Sequence, residues 1–228
     1  QQEPLEGAPA TEKTEFWVLF DDENVYLSLR CWNSAPESEW FVNEMRRDSV
    51  NVAAGEFVGV LFDTFYDRRS GVNFGINPIG GRLDSQLFDE RDVNMDWNPI
   101  WDLQTGRFDG GWIFEAAFPF ESLRYRPGRS QIWGLNIMRN VQWKNDRSFL
   151  VPIPAARGQG GIMHVSLAAV GFSPRHGDAN QGTCHYIWLR EKKNRPGTDR
   201  CHALGVPRLI CTLFFQARFL ACQPTHII

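Results

Sequence analysis

The sequence predicts an all-β protein, an antiparallel β-sandwich, and three observations carry that expectation. Runs of alternating apolar and polar residues recur from Phe16 to Ile153, turn-forming sequences such as Asp21-Asp22-Glu23-Asn24 separate them, and hardly any stretch has the apolar spacing of a helix. About eight strands with no helices to cover a sheet must bury their apolar faces sheet against sheet.

In chain order, Gln1 to Lys13 is polar with two prolines and reads as an extended lead-in. Phe16 to Phe20 and Val25 to Trp32 then form a hairpin around the acidic turn. Val25, Leu27, Leu29 and Cys31 share one face of the second strand, opposite the half-wet face of Tyr26, Ser28, Arg30 and Trp32. Cys31 is expected as a small core residue. Ser34 to Asn51 is a connection with a short helix, and its charged run Glu44-Met45-Arg46-Arg47-Asp48 reads as a solvated surface. A second hairpin joins Phe57 to Phe65 with Gly71 to Asn77, where Asp63 and Asp67 are expected to pair with Arg68, Arg69 or Arg139. Asn77 to Asn98, rich in Gly, Asp and Asn, reads as one long loop of the kind that carries binding.

Asp96 to Tyr125 concentrates the chain's pattern and holds three of its nine tryptophans. Phe108-Asp109-Gly110-Gly111 supplies the positive-φ residues of a tight hairpin. Beyond it Trp112, Phe114, Ala116 and Phe118 fall on one face of a strand that Pro119 ends. Glu121 to Leu123 suits a helical turn. Gln131 to Trp143 is the longest strand signal, with Trp133, Leu135, Ile137, Arg139 and Val141 alternating with Asn136, Met138, Asn140 and Gln142. Ser148 to Ile153 adds a strand before the glycine-rich Arg157 to Gly161.

At 228 residues, 43% hydrophobic and 13% aromatic, the chain can build a full core. A net charge of −3 and a pI near 6.0 give no field that would gather nucleic acid or anionic lipid, so neither is expected as a partner. No apolar run reaches the roughly 18 residues of a transmembrane helix. The start, QQEPLEGAPATEKTE, lacks an initiating methionine and an apolar signal core, as in a mature, clipped or fragmentary chain. Composition changes near Gly171: residues 1 to 171 hold sixteen Lys and Arg against twenty-four Asp and Glu, residues 172 to 228 eight against three. The expected division is therefore a sandwich over 1–171 and an unrelated irregular tail over 172–228, for which a frameshifted or misassembled reading of the gene is the simplest explanation. Cys184, Cys201, Cys211 and Cys222 with His185 and His202 lie in that tail, but no C-x-x-C pair or zinc-site spacing is present.

The run YDRRSGVNFGINPIG, followed by DWNPIWDLQTGRFDGGWIFEAAFPFESLRY and WGLNIMRNVQWKNDRSFLVPIP, resembles the family 9 carbohydrate-binding-module-like domain. The version it resembles stands at the N-terminus of bacterial envelope proteins whose remainder is a large β-rich, outer-membrane region. FDDENVYLSLRCW and EMRRD belong to the same resemblance, which covers roughly Glu3 to Val170. It implies a jelly-roll sandwich whose first strand is missing here, and a noncatalytic domain that binds oligo- or polysaccharide in polysaccharide capture or carbohydrate catabolism. It also implies an extracytoplasmic place, in the periplasm or at the outer membrane, joined to an envelope β-rich region. Classical members bind calcium and hold a sugar between two tryptophans, one from a late loop; Phe149 to Val170 contains no tryptophan. A periplasmic interaction or plug domain that has lost sugar binding, and a glycoside hydrolase acting on O-glycosyl bonds, stand as alternatives.

Aromatic faces stack on sugar rings while amides and carboxylates bond the hydroxyls. On that chemistry the expected site comprises Trp97, Trp101 and Trp143 with Asp96, Asn98 and Asn145. One of Trp97 and Trp101 would stack on sugar and the other support it, with Trp143 completing the site; Trp112 and Trp133 are expected in the core. No cofactor is required for stacking, and calcium is the metal expected, at Asp84, Asp89 and Asp92 with Glu90 and Asp96 nearby. No G-x-S-x-G, H-E-x-x-H or P-loop pattern occurs, His164 is the one histidine before the tail, and no catalytic residue is expected.

Overall fold

A computed structural model describes residues 1–89, 92–128 and 131–153 with their side chains, and the backbone of residues 168–172, 185–186 and 188–190. It is an all-β sandwich of two antiparallel sheets. One sheet has the order β12-β1-β2-β8-β7, built from β1 (Thr14–Phe20), β2 (Asn24–Trp32), β7 (Asp102–Phe108), β8 (Gly111–Pro119) and β12 (His185–Tyr186). The other runs β13-β11-β9-β3-β4-β5-β6. Its strands are β3 (Phe57–Asp63), β4 (Gly71–Ile76), β5 (Arg82–Phe88), β6 (Asp92–Asn94), β9 (Gln131–Val141), β11 (Ala168–Phe172) and β13 (Trp188–Arg190), with β10 (Asp146–Phe149) also paired to β9.

Alternation places the core. Val25, Leu27, Leu29 and Cys31 of β2 lie level with Phe118, Ala116, Phe114 and Trp112 of β8, and all eight are buried. Facing them are Val58, Val60 and Phe62 of β3 and Trp133, Leu135 and Ile137 of β9. Phe62 stands edge-on to Phe118 and Trp133, with ring centroids 5.5 and 6.1 Å apart, the geometry that ring quadrupoles favour. Turn chemistry fixes the registers. Asp21 Oδ1 accepts from the amides of Glu23 and Asn24 at 2.8 and 2.7 Å, which closes the β1–β2 turn. In the β7–β8 turn Gly110 sits at φ 89°, and a Cβ on Gly111 would lie 2.2 Å from the carbonyl oxygen of Cys31.

Several expectations are corrected. Asn77 to Asn98 is not one loop but carries β5 and β6, because the polar residues of Arg-Leu-Asp-Ser-Gln-Leu-Phe are accommodated by partners from elsewhere in the chain. Asp84 is buried against Arg47 Nη2 at 3.0 Å, and its amide donates to Asp48 Oδ1. The Glu44 to Asp48 run is therefore not simply solvated: Glu44 is buried and pairs with Arg46, while Arg47 also donates to the carbonyl of Pro99. Asp63 accepts from the amides of Asp67 and Arg68, and Asp67 from those of Arg69 and Ser70, so both cap a turn rather than form ion pairs. Arg139 pairs instead with buried Glu56 at 3.1 Å.

The lead-in is pinned, not merely extended: Asp146 Oδ2 accepts from Gln1 Nε2, Thr11 N and Thr11 Oγ1, and Glu3 bridges to Arg147. The boundary expected after Gly171 falls inside β11. Within the segment read as an irregular tail, β12 pairs with β1 and β13 with β11. The glycine-rich stretch 157–161, His164, Glu90 and the cysteines at 184, 201, 211 and 222 with His202 lie outside the described residues, and His185 is described by its backbone alone. Among the described residues no helix is long and apolar enough to cross a membrane.

One buried carboxyl gives a pH test. Glu115, on the outward face of β8 opposite Ser28, is almost fully buried, and its Oε1 has no partner among the described residues. Burial pushes its carboxyl up to about 7. A raised carboxyl favours folding fully only below its unfolded value, so that contribution is lost as pH rises through about 7. Glu115→Gln is expected to leave stability nearly unchanged at pH 4 and to raise it by about 1–3 kcal/mol at pH 8. Urea unfolding at the two pH values checks this, and an equal effect at both would refute it.

Candidate functional site

The site grows from the turn that follows β9. Gln142–Lys144 form a short 3-10 turn closed by Asn145 at φ 51°, whose amide donates to the carbonyl of Gln142. The amide of Gln142 donates to Glu56 Oε1 at 3.0 Å, so the turn rests on the buried Glu56–Arg139 pair. Trp143 projects from it 46% exposed, and its Nε1 donates to Asn33 Oδ1 at 2.9 Å. That bond fixes the ring while leaving much of it to solvent.

Polar groups gather around the ring. Lys144 Nζ stands 4.7 Å from the centroid of Trp143 and 2.6 Å from Glu12 Oε1. Burial works against the Glu12 charge, but hydrogen bonds from Lys144 and Ser34 hold its carboxyl below the ordinary range. Asn145 and Gln142 are exposed beside it. An aromatic face ringed by an ammonium and amides can stack on a pyranose and bond its hydroxyls.

Sequence reasoning missed a second group that adjoins this one. Asn33, which holds Trp143, follows Trp32 directly, and its amide donates to the carbonyl of Gly110. Trp32 is half-buried on the outward face of β2, edge-on to Phe108 at 5.4 Å. Arg30 and Lys13 lie 5.1 and 4.6 Å from the Trp32 centroid. The alternation marked Arg30 and Trp32 as a wet face, but only the strand pairing brings Phe108 to it.

The other expected residues are elsewhere. Trp101 is 3% exposed, stacked on Phe118 at 5.5 Å and 24°, and its Nε1 donates to Asp84 Oδ2 at 3.1 Å. Trp97 is half-buried against Phe74 at 5.8 Å, with Asp96 and Asn98 exposed on either side. Asp102, next to Trp101, is level with Ala117 and Tyr26, whereas Trp32, next to Asn33, is level with Gly111. Trp143 therefore lies about 20 Å of strand away from the Trp97–Trp101 segment and does not complete a site with it. Asp84, Asp89 and Asp92 are not brought together as calcium ligands either. Asp84 is enclosed by Arg47 and Trp101, Asp89 pairs with Arg69 at 2.7 Å, and Asp92 is exposed on β6. Among the described residues no three His, Cys, Asp or Glu side chains are grouped to hold a metal.

No protein-family model matches the chain, and no curated protein matches it. Solved structures similar to it include a family 9 carbohydrate-binding module from Caldicellulosiruptor kristjanssonii in complex with cellotriose. That match has 15% identity, a TM-score of 0.44, and covers 63% of this chain and 66% of the other, so it spans just under two thirds of the module structure. The same module in complex with glucose matches at 15% identity and a TM-score of 0.43, over 63% and 67% of the two chains. A protein from Bacteroides uniformis ATCC 8492 assigned as carbohydrate-binding matches at 9% identity and a TM-score of 0.48, over 63% and 74%.

Proposed function

We propose that the chain is a noncatalytic carbohydrate-binding domain that takes its sugar at the Trp143 end of the sandwich. The observation that carries this reading is the fixed, half-exposed ring of Trp143 with Lys144, Gln142 and Asn145 around it. Stacking holds a ring in place without chemistry, and neither a metal nor a cofactor is needed for it. The sequence resemblance supports the same reading. It further suggests a bacterial envelope protein, outside the cytoplasm, in which this domain captures polysaccharide for an attached β-rich region.

Trp143→Ala is expected to weaken oligosaccharide binding by about 1–3 kcal/mol, as loss of a stacking platform does. The fold should survive, since nearly half of the ring is already in water. Affinity electrophoresis through gels cast with soluble polysaccharides, with circular dichroism of the variant and a reducing-end assay alongside, tests this. Undiminished retardation of a folded variant would move the site elsewhere, and release of reducing ends would replace binding by hydrolysis.

A further inference from the structure

We propose that Arg30, Trp32 and Phe108, with Lys13 beside them, form a subsite for the carboxylate of an acidic sugar, so that the glycan recognised contains uronic acid. The proposal rests on the carbohydrate reading and deepens it by naming a ligand class.

Three observations support it. First, the Arg30 guanidinium is held against two aromatic rings: its Cζ lies 4.5 Å from the Phe108 centroid and 5.1 Å from that of Trp32. Stacking of this kind orients a guanidinium while leaving its edge N–H groups free to donate. Second, among the described residues Arg30 has neither an ion pair nor a side-chain hydrogen bond. Glu15 is its direct neighbour across the β1–β2 ladder, but the Glu15 carboxylate is taken by Lys13 at 2.5 Å. On the other side Arg30 is level with Ile113, and Ile113 with Gly106, neither of which carries charge. Along this cross-strand row Arg30 is thus the one uncompensated cation, with a planar fork matched to a carboxylate. Third, the strip is continuous with the proposed sugar platform, because Asn33 follows Trp32 and holds Trp143. A chain of sugars stacked on Trp143 can extend onto Trp32 and Phe108 and bring a C6 carboxylate to Arg30.

Calorimetric titration of the full chain with tetragalacturonate and with cellotetraose tests this. The acidic oligosaccharide is expected to bind about ten- to a hundredfold more tightly at low salt, from the net worth of charge-assisted hydrogen bonds. The margin should narrow as salt is raised. Arg30→Gln should abolish the preference, and Arg30→Lys, which keeps the charge but not the fork, should retain only part of it. Equal affinity for the two oligosaccharides, or a preference that survives in folded Arg30→Gln, would overturn the acidic-sugar subsite and leave the carbohydrate reading standing. Binding of neither oligosaccharide would overturn both.

Discussion

Replacing Glu56 by Ala is expected to cost about 3–5 kcal/mol of folding stability, the effect of stranding one partner of a buried ion pair. Glu56 is fully buried and Arg139 nearly so, with Nη2 and Oε2 3.1 Å apart. Glu56 also accepts from the Gln142 amide, but the Arg139 side faces apolar neighbours: its Cζ lies 5.1 Å from the Trp112 centroid, and buried Cys31 is beside it. Burial pushes the Glu56 carboxyl up against the pull of Arg139, so the pair is held in place at a desolvation cost. Hence the double replacement Glu56→Met with Arg139→Met should cost less than either single change, since no unpaired charge remains. Urea unfolding of Glu56→Ala, the two single Met variants and their double measures this. A Glu56→Ala cost below about 1 kcal/mol would show that water or a rearranged neighbour compensates Arg139. The effect should also reach the surface, because Gln142 N bonds Glu56 and carries the turn on which Trp143 sits.

A loss of about 3–5 kcal/mol is likewise expected for Trp101→Ala, here from an emptied core position. The ring packs on Phe118 and on Phe74 at 5.1 Å, and Arg82 Cζ lies 5.4 Å from its centroid. Its N–H also serves Asp84, whose carboxyl burial pushes upward; without Trp101, Arg47 would be the one side-chain donor left to it among the described residues. Trp101→Phe should recover part of the loss by refilling the space while leaving Asp84 short of a donor. Neither variant should alter sugar affinity once folded. A loss of affinity at unchanged unfolding midpoint would instead make Trp101 a ligand contact.

These two residues show where the sequence was legible. The even-numbered face of β8 and the alternation of β9 were readable because their inward positions are apolar, and period alone reports that. Strand β5 was not readable, because its buried Asp84 depends on Arg47 and Asp48, which a scan for periodicity cannot pair with it. Tryptophan identity was equally mute. Trp97, Trp101 and Trp143 all stand near turns and polar residues, and only packing decides that Trp101 closes over Phe118 while Trp143 is left at the surface. Arg30 was visible as a wet position on β2 with Trp32 two residues on, yet Phe108 reaches it only through the β2–β8 and β8–β7 registers.

The same register shapes how the chain must be made. Central strand β2 waits for β8, with Val25 opposite Phe118, and central strand β3 waits for β9, with Val60 opposite Ile137. At about 5–20 residues per second of synthesis, several seconds separate the emergence of each strand from that of its partner. During that interval the β1–β2 hairpin and the β3–β4–β5 meander present open apolar edges to everything around the ribosome. Folding dominated by such distant pairings is intrinsically slow. Cellular yield of this protein is therefore expected to follow what shields those nascent edges more closely than the strength of the finished sandwich.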